Sequence, residues 1–74
     1  MTKSAFLEAY AIQLTKLYDW ARNEEKLARF LRGCIATIRE GRSEWNHDGP
    51  AVVAAWRSIG GKGTPTLKAL RALA

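Results

Sequence analysis

Apolar residues recur at helical spacing along most of this chain, and nowhere do they alternate regularly with polar ones. Leu27, Phe30, Leu31, Cys34, Ile35 and Ile38 form the cleanest run, a set that an α-helix gathers onto one side. Phe6, Tyr10, Leu14 and Leu17 do the same earlier, and Leu7, Ala11 and Tyr18 widen their stripe into a core-facing surface. Ile12 falls away from it. With no period-two pattern and no internal repeat, the chain reads as all-α.

Turn and cap residues divide the pattern into four helices. The first is expected over 4–19. Asn23 is a good N-cap for the second, where Glu24 and Glu25 put negative charge in the first turn and Glu25 stands four residues before Arg29. Gly33 weakens that helix, which suggests a close crossing by another one, and Gly41 should end it. Asp48, Gly49 and Pro50 are the next start signal. Val52, Ala55, Trp56 and Ile59 give the third helix its inward side, and Gly60 or Gly61 stops it. Thr64 is expected to cap the fourth helix, with Pro65 in its first position and Leu67, Leu70 and Ala74 facing inward. The expected architecture is a small single-domain four-helix bundle with a C-terminal helix-turn-helix-like hairpin.

At 74 residues the chain is one domain at most, and a chain of that size buries roughly 60% of its unfolded surface. A single cysteine, Cys34, excludes an internal disulfide and a cysteine-rich zinc site. It belongs to the apolar stripe and reads as a buried structural thiol. No leader pattern is visible, and the apolar stretch Ala51 to Trp56 is far below the roughly 18 residues of a membrane span. The expected setting is the cytoplasm.

The net charge of +5 is unevenly spread. Up to Asp48, eight bases face seven acids; after it come Arg57, Lys62, Lys68 and Arg71 with no acid at all. A one-signed segment of this kind favours an anionic partner.

Within that segment, Ile59-Gly60-Gly61-Lys62-Gly63-Thr64-Pro65-Thr66 surrounds one lysine with three glycines before a helix start. Such a loop can turn backbone N–H groups toward a phosphate. Turn chemistry alone also accounts for every residue in it except Lys62. The order is not that of a P-loop, because Gly63 separates Lys62 from Thr64 and no strand precedes it. A helix-hairpin-helix turn has an apolar residue where Lys62 stands. Ala54 to Gly60 is similar to the first half of bacterial repressor helix-turn-helix motifs, but Gly61 replaces the usual aliphatic anchor and Pro65 falls inside the would-be recognition helix. The candidate contacts for nucleic acid or another anion are Arg57, Lys62, Gly63, Thr64, Thr66, Lys68 and Arg71.

No catalytic constellation emerges. His47 beside Asp48 could in principle supply a base, but Asp48 is better read as a cap and Trp45 as a core anchor. Glu24 and Glu25 are adjacent, hence on different helix faces. No cofactor or metal site is expected, and the chain does not read as an enzyme.

Trp45-Asn46-His47-Asp48-Gly49, Ala55-Trp56-Arg57, Ile59-Gly60-Gly61-Lys62-Gly63 and Pro65-Thr66-Leu67-Lys68-Ala69-Leu70-Arg71 resemble a family of small bacterial and prophage proteins without established activity. The resemblance spans the C-terminal 30 residues and implies a bacterial or phage cytoplasmic setting. Two functions remain open: a non-catalytic contact module for nucleic acid or another polyanion, and a protein-interaction or assembly subunit. The second would use an exposed apolar patch drawn from Tyr10, Ile12, Trp20 and Trp45.

Overall fold

The computed structural model describes residues 1–40 and 49–74. Gly41, Trp45, His47 and Asp48, to which the sequence assigns a helix stop, a core anchor, a base and a cap, lie outside the described residues. The described part is all-α, with helices α1 (Lys3–Leu17), α2 (Glu24–Glu40), α3 (Gly49–Ser58) and α4 (Leu67–Arg71), plus a 3₁₀ turn over Asp19–Arg22. No helix in it is long and apolar enough to cross a membrane.

Helix α1 begins where the Thr2 hydroxyl accepts a hydrogen bond from the Ala5 N–H at 3.0 Å. It ends two residues short of expectation. Tyr18 turns to extended backbone (φ −133°, ψ 134°), and its ring stacks on Trp20 with centroids 6.1 Å apart. That early end leaves Leu17, expected to face inward, half exposed. Arg22 closes the α1 terminus by donating from Nε to the Thr15 carbonyl at 3.3 Å, while its Nη1 pairs with Asp19 at 3.2 Å. A cation at the carbonyl end of a helix satisfies an orphan acceptor and meets the negative end of the dipole.

Asn23 caps α2 as its sequence predicts, accepting from the Lys26 N–H at 3.1 Å. Cys34 and Ile38 are buried, and Leu27, Phe30 and Leu31 pack partly buried against the same core. Thr37, also buried, returns its hydroxyl to the Gly33 carbonyl at 3.0 Å, so no polar donor is stranded. Gly33 itself is exposed with open space where a Cβ would stand, so none of the described helices crosses there.

The main packing is α1 against α3, with α2 joining through the 3₁₀ turn and α1, and α4 resting on α2. Phe6, Tyr10, Leu14, Val52, Ala51, Ala55 and Leu70 fill the centre. An aromatic series runs outward from it: Phe6 to Tyr10 at 5.7 Å, Tyr10 to Phe30 at 6.0 Å, and Phe30 to Trp20 at 5.2 Å. Offset and tilted rings at such distances stabilise beyond their buried area. Arg39 ties the end of α2 to Ser4 at 2.9 Å, and the Lys3 N–H donates to the Ala74 carbonyl at 3.1 Å, so the start of α1 meets both the end of α2 and the C-terminal residues.

Candidate nucleic-acid interface

The basic C-terminal segment starts where α3 stops. Gly60 takes φ +98°, and two hydrogen bonds close the helix around it: Gly60 N–H to the Arg57 carbonyl at 3.1 Å and Gly61 N–H to the Trp56 carbonyl at 2.8 Å. This is a Schellman cap, which needs a left-handed residue and nearly always takes glycine there. Gly61 is required for a different reason. A Cβ on it would overlap the Trp56 indole ring, so the backbone lies against the ring face. The indole Nε1–H then reaches past it to the Lys62 carbonyl at 3.1 Å. Trp56 thus serves as the post on which the loop is wound, a role that sequence reading missed. Its signal is an aromatic residue one turn before a Gly-Gly pair.

The loop amides divide into two groups. Those of Gly60 and Gly61 point inward at α3 carbonyls. Those of Lys62, Gly63 and Thr64 make no hydrogen bond within the described residues, and all three residues are exposed. Gly63, at φ +68°, turns the chain between them.

The fourth helix begins later than its sequence predicts. Thr66, not Thr64, is the cap: its hydroxyl accepts from the Ala69 N–H at 3.1 Å, and the first helical residue is Leu67, not Pro65. Capping at Thr66 sets Leu67 and Leu70 one turn apart, with Leu70 fully buried and Leu67 packed on the core. With the helix ending at Arg71, Leu73 packs inward and Ala74, expected to do so, is exposed.

The candidate contacts therefore fall into different situations. Arg57, Lys62 and Lys68 are exposed and form no ion pair with any described residue. Gly63 and Thr64 lie in the open part of the loop, while the Thr66 hydroxyl oxygen is engaged in capping. Arg71 donates from Nε to the Thr37 carbonyl at 3.1 Å, in the last turn of α2. That bond satisfies an acceptor the helix cannot serve itself and pins α4 to α2. Arg71 is thus first a structural cation, like Arg22 on α1.

A second basic surface lies on the other half of the chain. Trp20, Lys26, Arg29 and Phe30 line a shallow, open cavity of about 330 Å³. Lys26 and Arg29 are exposed and form no ion pair with a described residue, and Trp20 and Phe30 are half-buried. Of the four residues the sequence suggests for an apolar patch, Tyr10 does not contribute to one. Tyr10 is fully buried in the aromatic series, Ile12 is 53% exposed, and Trp45 lies outside the described residues.

No known protein family matches the chain, nor does any curated protein or solved structure.

Proposed function

We propose that the protein is a non-catalytic contact module for nucleic acid or a similar polyanion, built as a small four-helix bundle with a basic C-terminal segment. The observation that carries this reading is the run of bases after Asp48 without a single acid, of which Arg57, Lys62 and Lys68 stand exposed and unpaired among the described residues. Cations placed this way contact phosphates, and the amides of Lys62, Gly63 and Thr64, which find no acceptor among the described residues, add donors of the type phosphate oxygens accept. Helix α4 has five residues. It is too short to lie along a major groove and present several side chains to base edges, so the contact is with backbone phosphates and is not a helix-turn-helix readout. A bacterial or prophage cytoplasmic setting accords with this reading.

Fluorescence anisotropy with labelled duplex and single-stranded DNA tests it. Binding at low salt should weaken for Lys62→Ala combined with Lys68→Ala, and the slope of log K against log salt should fall by about 2 on duplex. Absence of binding at low salt, or binding indifferent to both substitutions, rejects the reading.

A second reading, an assembly subunit, draws on the exposed Ile12 and Leu17. Light scattering distinguishes it: a monomer at all concentrations counts against it, whereas self-association relieved by Ile12→Ser supports it.

A further inference from the structure

We propose that the cavity between the 3₁₀ turn and α2 binds single-stranded nucleic acid, stacking a base against Trp20 and Phe30 while Lys26 and Arg29 hold the flanking phosphates. The proposal takes the class of ligand from the polyanion reading above but concerns a different surface. Three observations converge on it. Among the described residues the lining is two aromatic rings and two cations, and its exposed surface is mostly apolar. The rings are held in place: Trp20 sits 5.2 Å from Phe30 at 57° and stacks on Tyr18 at 17°, and Phe30 in turn contacts the buried Tyr10. Lys26, Arg29 and Phe30 stand at i, i+3 and i+4 of one helix, so their side chains emerge as neighbours about 5–6 Å apart at Cβ.

Acids and bases are equal in number from Asp19 to Arg29, and the two bases that line the cavity are Lys26 and Arg29. Arg22 pairs with Asp19 on the 3₁₀ turn that carries Trp20. Glu24 and Glu25 belong to the same turn of α2 as Lys26, yet neither forms an ion pair with Lys26 or Arg29. The site thus offers two cations that form no ion pair among the described residues, around an apolar floor. A duplex buries its base faces and would leave the rings unused. An acidic peptide would satisfy the cations but has no flat face to cover the indole. An unstacked base with its own phosphates uses both parts, and since every base has a π-face, the preference is for single strands and not for sequence.

The test is anisotropy of a labelled oligothymidylate of about 12 nucleotides, with duplex DNA and polyglutamate as unlabelled competitors. Trp20→Ala should weaken oligothymidylate binding about tenfold while Trp20→Phe retains most of it. Lys26→Ala with Arg29→Ala, both at exposed positions that do not threaten folding, should weaken it as well and lower the salt slope by about 1.4. Duplex binding should respond to Lys62→Ala with Lys68→Ala but not to Trp20→Ala. If oligothymidylate affinity survives the Trp20 and Lys26/Arg29 variants but falls with the Lys62/Lys68 pair, the cavity proposal is overturned and the C-terminal reading stands. Displacement by polyglutamate as readily as by excess oligothymidylate also overturns it, in favour of an acidic peptide. No oligonucleotide binding at all removes both.

Discussion

Glycines 33 and 61 look alike in the sequence and differ completely in what surrounds them. Gly33 is on the outer side of α2 with open space around its Cα, so an added methyl touches nothing. Gly33→Ala should therefore stabilise the protein by about 1 kcal/mol, from helix propensity and from a less flexible unfolded chain. In a domain of this size that corresponds to a rise in Tm of roughly 4–8 °C, measurable by circular dichroism. A fall in Tm would show that something packs against that glycine. Gly61→Ala should act in the opposite direction. Its methyl meets the body of the Trp56 indole, and the ring cannot swing aside without losing its bond to the Lys62 carbonyl. Overpacking of this sort costs about 1–3 kcal/mol. Urea unfolding of the two variants side by side checks both signs, and equal effects would contradict the contact between Gly61 and the indole.

The position of α4 depends on which of two threonines caps it, and that can be measured. Thr66→Ala should cost about 1 kcal/mol, because the Ala69 N–H loses its acceptor. Thr64→Ala, at an exposed residue with no such bond, should stay within about 0.5 kcal/mol of the parent. A reversal of that order would restore the earlier helix start. The same pair of residues marks the limit of what local sequence conveys. Periodicity and cap residues correctly indicate the four α-helices of the described residues, the cap at Asn23, an end of α3 at the Gly60-Gly61 pair, and the buried stripes of Phe6, Tyr10, Leu14, Cys34, Ile38, Val52 and Leu70. Thr-Pro and Thr-Leu are both acceptable starts by propensity alone. The choice is made by tertiary contacts: Leu70 filling the core, and Arg71 reaching the Thr37 carbonyl 34 residues earlier. The basic segment was legible as charge, but the use of Arg71 as a helix clamp was not, since its partner is a backbone atom distant in sequence. The aromatic cavity was hidden for a related reason. Trp20 falls just beyond the first expected helix and Lys26, Arg29 and Phe30 belong to the second, and the 3₁₀ turn brings them together.

At the scale of the whole molecule, salt acts on this protein in two opposite ways, and which one dominates depends on whether a polyanion is bound. The chain carries twelve bases against seven acids, and its longest extent is 29 Å. At about 10 mM ionic strength the Debye length is about 30 Å, so the excess positive charges all repel one another across the fold; at about 150 mM it is about 8 Å and they are mostly screened. The free protein should therefore become more stable as salt is added, because self-repulsion of the compact state is relieved. An oligonucleotide reverses the balance. A ligand held at 100 times its Kd adds about 2.7 kcal/mol at low salt, or roughly 10–20 °C in Tm for a domain this small. If Arg57, Lys62 and Lys68 each neutralise one phosphate of a duplex, affinity falls on the order of a thousandfold over the same range of salt, and that stabilisation disappears. Melting curves across the salt series should consequently slope upward for the protein alone and downward with a fixed concentration of oligonucleotide. The downward slope should flatten in the Lys62→Ala, Lys68→Ala double variant, whose fold is untouched because both side chains are exposed. Parallel upward slopes with and without oligonucleotide would mean that the positive charge serves solubility and not binding.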